Sequence, residues 1–282
     1  MPPLNQKRQK KHSLRKLSRL FFQIFFSLLF AVVFAIFGQT IYDFNRYSAF
    51  YVNGESMYPT LNRNAEVYEK GNKLITKTYL LGNFSSPNHK YLCDYGLMDE
   101  KEGFLSSIER FSIVVTYFDQ DMEKRGDMYL PKSGSELKIK RVLALPGEEI
   151  YFDNEGELYI KGKRDSTFQF IEQPFFNIDP WNEESKDFLS VVKKETNTAS
   201  SYAYDDKHPY RLDDNEYFLV GDNRLEGCSN DSRAVGPISS YSIVGRVVTI
   251  IGKCWYEIGQ NGKSKETIDF KSLIMPWRLE LL

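Results

Sequence analysis

The chain has 282 residues, is 41% hydrophobic and carries a formal net charge of −1. This length and apolar content can bury one sizeable core or two small ones, and together with the balanced charge they exclude an intrinsically disordered chain. The small net charge hides a basic block, because residues 1–19 contain seven Lys and Arg residues and no acidic residue.

An uninterrupted apolar segment follows the basic block. Residues 20–38, LFFQIFFSLLFAVVFAIFG, contain only Gln23 and Ser27 as polar residues. A helix of this length spans roughly 28 Å, close to the hydrocarbon core of a bilayer. A cleaved signal peptide is the alternative, but its apolar region usually has only about 7–15 residues. The sequence therefore predicts an uncleaved transmembrane helix, with the basic tail 1–19 in the cytoplasm and residues 39–282 outside.

The outer region is predicted to be rich in β-strands. Aromatic and β-branched residues alternate with polar ones and are interrupted by turn residues. Strands are expected in AEVYEKGNKLITKTY (65–79), RFSIVVTYF (110–118), LKIKRVLAL (137–145), NEYFLVGD (215–222) and SIVGRVVTIIG (242–252). The stretch EEIYFDNEGELYIKGK (148–163) predicts a hairpin with its turn near residues 154–156.

Two segments are interpreted as insertions into this β-rich domain, at about 80–109 and about 164–214. The first is polar and mixed in composition. The second contains one predicted helix, from Asn182 to Glu195, in which an N-cap residue and acidic residues come first and two lysines come near the end. The predicted organisation is a basic tail, a transmembrane helix and a mainly β outer domain with two insertions.

The cysteines and histidines do not suggest a metal site or a cofactor. Cys93, Cys228 and Cys254 are odd in number and never at CxxC spacing, so they define no disulfide framework and at least one lacks an intrachain partner. The three histidines are scattered along the chain. No metal and no cofactor is therefore expected.

Three stretches could together carry chemistry: GESMYPTL (54–61), KIKRVLALPGEEI (138–150) and VGDNRLEGCSNDSRAVG (220–236). A serine nucleophile needs a base, and no histidine lies in a recognisable triad setting. Lys140 lies within an apolar strand, on the face of Val142 and Ala144, with Arg141 on the opposite face. Burial would lower the pKa of this lysine enough for a neutral amine near pH 7 to take the proton of Ser56.

Each stretch alone has a simpler interpretation. Ser56 could be a turn hydroxyl before Pro59 and Thr60, Lys140 could be a solvated residue on an amphipathic strand, and the third stretch could be a loop rich in Asn and Asp. The catalytic interpretation depends on the three occurring together and in this order.

Together with the apolar anchor, these motifs resemble those of the bacterial type I signal peptidases, a family of Ser-Lys serine proteases. The resemblance covers the anchor, the serine box GESMYPTL, the strand RFSIVVTYF, the lysine box KRVLALPGE and the closing box GDNR with SNDSR. It implies that Ser56 is the nucleophile and Lys140 the general base. It also implies that Ser229 hydrogen-bonds and orients the lysine amine.

The same resemblance assigns supporting and substrate-binding roles. Arg141, Asp222, Asp231 and Arg233 match charged residues that hold the strands of the family together. Met57, Leu61 and Ile139 are expected to help line shallow apolar pockets for small residues before the cleaved bond. The sequence departs from the family pattern at Gly54, where some members have a serine that helps bind the oxyanion, and in the additional residues LEGC of the closing box.

The function implied is removal of signal peptides of the Ala-x-Ala type at the bacterial cytoplasmic membrane. The expected partners are pre-proteins with signal peptides, membrane lipid and the secretion translocon, and not nucleic acid. The short connector between Gly38 and Ser56 would keep the nucleophile near the outer membrane surface. Two alternatives remain open: a Ser-Lys protease dedicated to one precursor, and an inactive, membrane-anchored binding module.

Overall fold

The computed structural model describes residues 4–69, 71–73, 89–153, 156–173, 205–224, 227–258, 264–269 and 272. The chain divides into two compact units, Met1–Tyr47 and Ser48–Leu282. The division follows the end of the first helix, eight to nine residues beyond the predicted boundary at 38.

The first unit consists of helix α1, Leu4–Arg46, which is 43 residues long. Its segment Arg19–Tyr42 is long and apolar enough to cross a membrane. Large apolar side chains along this segment are exposed, among them Phe21, Phe30 and Phe34, each about two-thirds accessible. The predicted tail 1–19 is therefore helical from Leu4 onward, because the basic residues continue the helix of the apolar segment without a glycine or proline between them.

Sixteen strands follow within the described residues. They are β1 (Tyr47–Tyr51), β2 (Glu66–Glu69), β3 (Asn72–Lys73), β4 (His89–Asp99), β5 (Ile113–Thr116), β6 (Met122–Arg125), β7 (Met128–Pro131), β8 (Lys138–Ala144), β9 (Glu149–Phe152), β10 (Leu158–Lys161), β11 (Gln169–Ile171), β12 (Tyr210–Arg211), β13 (Glu216–Val220), β14 (Ile238–Ser239), β15 (Ile243–Ile258) and β16 (Ser264–Asp269). A short helix, α2 (Ser232–Val235), lies between β13 and β14, and 3₁₀ turns occur at Phe104–Ser107, Asp119–Asp121 and Ser240–Ser242. The predicted mainly β fold behind an apolar N-terminal helix is confirmed.

Ten of these strands form one large sheet. Its order is β14-β13-β8-β5-β15-β4-β2-β3, with β1 added beside β4 and β16 beside β15. The strand β8 lies between β5 and β13, and its residues 140–144 are buried, namely the apolar Val142, Leu143 and Ala144 and the charged Lys140 and Arg141.

The other described strands form two smaller sheets. One has the order β11-β10-β9-β12, and the other is the hairpin β6–β7. The predicted hairpin at 148–163 is confirmed, because β9 and β10 pair with Phe152 opposite Leu158. Gly156, in the turn, has a φ of 78°, a conformation that glycine adopts without a steric penalty.

The structure differs from the sequence-based interpretation in the first insertion. Residues 89–99, placed there by their polar surroundings, form strand β4 between β15 and β2 in the large sheet. Its alternation of buried Tyr91 and Cys93 with less buried neighbours is that of a half-buried strand. In the second insertion, β11 and β12 pair with β10 and β9. The predicted helix Asn182–Glu195 lies outside the described residues.

An apolar cluster supports the loop that contains Ser56. It joins Met57 and Leu61 from that loop to Val52, which follows β1, and to strands of the large sheet, namely to Phe50, Met98, Ile113, Val115 and Val247. Both loop residues are almost completely buried, at 1% and 0% exposure. Burial of two large side chains, at about 1.5–3 kcal/mol each, fixes this loop against the sheet.

Candidate active site

Ser56 lies in a tight loop between β1 and β2. The Tyr58 N–H donates to the carbonyl of Glu55 at 2.8 Å, and the Leu61 N–H donates to the carbonyl of Met57 at 2.9 Å. Gly54, two residues before the serine, has a φ of 104°, which a residue with a side chain rarely adopts. The loop therefore turns sharply at a glycine and exposes the half-buried serine hydroxyl next to two buried apolar anchors.

Asn62 stabilises this loop through hydrogen bonds to its backbone. Its side-chain amide donates to the carbonyls of Val52 at 2.9 Å and Gly54 at 2.8 Å. Its side-chain oxygen accepts from the Asp94 N–H at 2.8 Å, and its own N–H donates to the Asp94 carboxylate at 2.6 Å. Asn62 is fully buried with a φ of 60°, a left-handed conformation that asparagine tolerates better than most residues. These bonds join the serine loop to β4.

The amine of Lys140 meets Ser56. Its Nζ lies 3.0 Å from the Ser56 Oγ and donates a second bond, also of 3.0 Å, to the carbonyl of Ile139. The side chain projects from β8, where Val114 of β5 is its cross-strand partner. Lys140 is 3% exposed. The bond to the Ile139 carbonyl therefore fixes the position of an amine that water scarcely reaches.

Burial lowers the pKa of Lys140 from 10.5 to about 8. The carboxylates of Asp231 and Asp222 oppose this shift, whereas the cations of Lys138 and Arg233 add to it. Desolvation prevails because a buried ammonium loses its hydration. A pKa of about 8 leaves a substantial neutral fraction near neutral pH, and the lone pair of a neutral amine can accept the hydroxyl proton.

The end of strand β13 packs directly on the serine. The Asn223 N–H donates to the carbonyl of Ser56 at 3.0 Å. At Gly221 an added Cβ would lie 2.4 Å from that carbonyl oxygen and 2.2 Å from the Ser229 hydroxyl. A side chain at this position would therefore displace the serine loop, and the absence of one brings the closing box against Ser56.

Arg141 and Asp222 form a buried, two-pronged ion pair. The Arg141 Nε lies 2.8 Å from one carboxylate oxygen and its Nη2 lies 2.6 Å from the other. The Thr60 hydroxyl donates to the same carboxylate at 2.6 Å, and the Phe111 carbonyl accepts from Arg141 at 2.8 Å. The pair thus connects β8, the serine loop and the residues after β13, and the supporting role of Arg141 and Asp222 stays a prediction.

Asp231 and Arg233, which the resemblance also assigns a supporting role, form a second buried ion pair. The Arg233 Nε and Nη2 donate to the Asp231 carboxylate at 2.9 and 3.0 Å, and the Gly221 N–H also donates to it at 3.0 Å. Burial would raise the pKa of Asp231, but the Arg233 guanidinium and these hydrogen bonds lower it overall. Asp231 therefore remains an anion and caps helix α2 through the Arg233 N–H.

Ser229 belongs to this second network. Its hydroxyl donates to the Asp231 carboxylate at 2.6 Å. Among the described residues, the hydrogen bonds of Lys140 go to Ser56 and Ile139. Orientation of the lysine amine by Ser229 therefore stays a prediction, and the bond observed here orients Asp231, one of the charges that act on the amine.

The family model described as signal peptidase, peptidase S26, matches residues 21–252, which include both members of the Ser56–Lys140 contact and both ion pairs. The chain belongs to the signal peptidase S26 family.

Relatives of this S26 family member share part of its length. Signal peptidase I from Bacillus amyloliquefaciens is 30% identical over 110 residues, 39% of this chain and 48% of the relative. Signal peptidase I V from Bacillus subtilis is 34% identical over 110 residues, 39% of this chain and 55% of the relative. The chain thus spans about half the length of the curated relatives it matches. A crystal structure of a signal peptidase I from Enterococcus faecalis is 18% identical in sequence, and the match covers 49% of this chain and 95% of the crystallised chain. Its TM-score of 0.29 is too low to support a statement about the fold.

The three predicted pocket residues of this S26 family member pack in one cluster. Met57 and Leu61 are buried core residues, and Ile139 packs half-buried against the same cluster. They are therefore adjacent to the dyad, and a role in binding substrate stays a prediction. The described residues contain no group of three or more His, Cys, Asp or Glu side chains placed to hold a metal ion.

Sequence reasoning missed several residues that shape the site. Asn62 has no local signal, because its partners come from distant segments. Arg224 is part of the GDNR box but received no role; it is fully buried and donates to the Gly221 carbonyl at 2.7 Å and to Gln173 at 2.9 Å. The bond from Arg224 to the Gly221 carbonyl fixes the turn that contains Gly221 and Asp222. Arg224 therefore stabilises the segment that packs against Ser56.

Proposed function

We propose that this S26 family member is a membrane-anchored serine endopeptidase that removes N-terminal signal peptides from exported pre-proteins. One observation carries the proposal: a half-buried serine hydroxyl lies 3.0 Å from the amine of a buried lysine whose pKa is lowered to about 8. The family match and the names of the relatives, signal peptidase I, support the substrate class.

The proposed reaction begins with proton transfer between the two side chains. The neutral Nζ of Lys140 takes the Ser56 proton while the Oγ attacks the carbonyl carbon of the substrate bond. The protonated amine returns this proton to the leaving nitrogen as the C–N bond breaks, which leaves an ester on Ser56. Lys140 then takes a proton from water as the water oxygen attacks the ester carbonyl carbon. The amine returns this proton to the Ser56 Oγ as the ester C–O bond breaks, which releases the carboxylic acid and regenerates the serine and the neutral lysine.

The surrounding charges hold the dyad without taking part in bond exchange. The Arg141–Asp222 pair fixes the strand that carries the lysine beside the loop that carries the serine. The anionic oxygen of the tetrahedral intermediate needs hydrogen-bond donors, and the Ser56 N–H is the donor that the loop itself supplies. Gly54 provides no hydroxyl there, so we propose that backbone donors carry this task.

We further propose that cleavage follows small residues, as in Ala-x-Ala, at the outer face of the bacterial cytoplasmic membrane. Helix α1 is long and apolar enough to anchor the chain, and its basic N-terminal residues favour a cytoplasmic N-terminus. An anchored protease meets membrane-inserted signal peptides at raised local concentration. Its proposed partners in the membrane are lipid and the secretion translocon.

Peptide cleavage by the full-length chain in detergent tests the proposal. Two peptides are compared, one with Ala-x-Ala before the bond and one with leucines at these two positions, and Ser56→Ala is the control. The expected result is cleavage after the second alanine, little cleavage of the leucine peptide, and none by the variant. Equal cleavage of both peptides would contradict the specificity, and full activity of Ser56→Ala would contradict the mechanism.

A further inference from the structure

Cys93 and Cys254 face each other across two neighbouring strands, although 161 residues separate them. They are direct partners in the antiparallel pair of β4 and β15. Both thiols lie in one apolar cluster with Val67, Tyr91 and Tyr256, and their exposures are 0% and 1%. The two side chains therefore point into the same face of the sheet.

The backbone geometry of this position suits a covalent bond. Directly opposed residues in an antiparallel pair have Cα atoms about 4.5 or 5.5 Å apart, and both values fall within the range of about 4.4–6.8 Å that disulfides span. The Cys93 Sγ lies 3.3 Å from the carbonyl oxygen of Cys254, while the Cys254 Sγ lies 3.5 Å from the Trp255 carbonyl oxygen. Side-chain rotation, with no shift in register, can bring the two sulfurs together.

We propose that Cys93 and Cys254 form an intrachain disulfide when the domain folds in an oxidising compartment, and that Cys228 stays a thiol. The two thiols lose two protons and two electrons to an organic disulfide such as oxidised glutathione, which leaves as two thiols after one mixed-disulfide step. Cys228 lies elsewhere, in the closing box, half-buried and outside the described strands.

Oxidation takes place during folding, before the strands close over the sulfurs. Burial, with smaller contributions from Cys254 and Asp94, raises the pKa of Cys93, and burial also raises the pKa of Cys254. The thiolate is the attacking species in disulfide exchange, so the folded thiols react slowly. Once formed, the bond is protected by the same burial.

The bond would secure the strands that hold the serine loop. Asp94, next to Cys93, makes both backbone-linked hydrogen bonds with Asn62, and Lys253, next to Cys254, forms an ion pair with Asp94. A disulfide between Cys93 and Cys254 would therefore keep β4 and β15 together next to the hydrogen bonds between Asn62 and Asp94. This closes a loop of about 160 residues in the unfolded chain, for which the entropic effect is large.

Peptide mapping of the refolded full-length chain tests the proposal. The chain is reduced and unfolded in urea with detergent and refolded with reduced and oxidised glutathione. It is then unfolded in urea with N-ethylmaleimide, so that buried thiols also react, and digested without reduction for mass spectrometry. The expected result is a peptide pair joined through Cys93 and Cys254, with the maleimide on Cys228. Maleimide or glutathione on Cys93 and Cys254, or a main product joined through Cys228, would overturn the proposal.

Thermal unfolding supplies a second measurement. The oxidised wild-type chain is expected to melt about 5 °C or more above the reduced chain. The Cys228→Ala variant should keep this difference, and the double variant Cys93→Ala, Cys254→Ala should lose it. Because oxidised and reduced samples are compared within each variant, a cavity left by alanine does not affect the result. An equal difference in all three chains would assign it to something other than this disulfide.

The outcome is independent of the proposed protease activity. Cleavage of the Ala-x-Ala peptide is measured on the same oxidised and reduced samples. Cleavage with no Cys93–Cys254 link rejects the disulfide alone, whereas a link without cleavage rejects the protease alone.

Discussion

The amine of Lys140 lies 3.0 Å from the hydroxyl of Ser56, although 84 residues separate the two in sequence. The Lys140 Nζ also donates a hydrogen bond of 3.0 Å to the carbonyl oxygen of Ile139. Burial removes water from the Lys140 ammonium. The nearby Asp231 carboxylate compensates for this loss only in part, because it is itself paired with Arg233. The distance between the two groups suits the proton transfer that we propose.

Ser56→Ala and Lys140→Ala should each abolish peptide cleavage, by at least about 10⁴-fold, because nucleophile and base act as one unit. Lys163→Ala is the control, since Lys163 forms an exposed ion pair with Asp214 and is not among the main charges that shift the pKa of Lys140. The control should cleave at close to the wild-type rate. A Lys140→Ala variant that is folded by circular dichroism and still active would contradict the assignment of the base.

The pH profile of cleavage should report the titration of Lys140. The neutral amine is the reactive form, so kcat/KM should rise about tenfold per pH unit below pH 8 and level off above it. Thermal stability measured over the same pH range separates titration from unfolding. A profile that is flat from about pH 5 to pH 9 in a folded protein would be incompatible with a lysine base.

Loss of the Arg141–Asp222 pair should destabilise the domain. Asp222→Ala leaves the Arg141 guanidinium buried without its main partner, and such a loss costs about 3–5 kcal/mol in unfolding free energy. The control is Glu123→Ala, which breaks the exposed Glu123–Arg125 pair and should cost about 0–1 kcal/mol. Urea unfolding followed by tryptophan fluorescence measures both. Similar values for the two variants would show that burial of the first pair has no special effect.

Asn62 should be needed for the geometry of the serine loop. Asn62→Gly keeps the left-handed backbone but removes the amide that bonds Val52 and Gly54 and leaves buried carbonyls without a donor, at a cost of about 1–3 kcal/mol each. We expect lower kcat with a smaller effect on KM. Exposed Asn64, in the same turn, supplies the control Asn64→Gly. Wild-type kcat in folded Asn62→Gly would mean that the other anchors suffice.

Gly221→Ala should displace the serine loop. The added methyl would meet the Ser56 carbonyl and the Ser229 hydroxyl at distances that real structures do not show, and neither group is the free end of a long side chain. Cleavage should fall by about 10²-fold or more, since a small misplacement of reacting groups has effects of this size. Gly162→Ala, whose methyl would meet the movable Asp165 carboxylate, is the control. Similar activity of both variants would argue against close packing at Gly221.

Several features of the fold could be predicted because they depend on local pattern. The apolar helix follows from a run of about one bilayer thickness, and the β9–β10 hairpin follows from alternation around a turn containing Gly156. Strand β4 was missed as a member of the large sheet, because the pairing that buries it is made with β15, more than a hundred residues away. Local composition carries little information about such partners.

The order of the motifs, the apolar anchor and the residue types of a serine and lysine pair can all be read from the amino-acid order. The three-dimensional arrangement is needed to show that Lys140 is buried, that Ser229 bonds Asp231, that Asn62 fixes the serine loop and that Cys93 opposes Cys254. Desolvation and hydrogen bonding depend on which distant segments meet. Which segments meet depends on how whole strands pair in the sheet, and it cannot be predicted from any short stretch of residues.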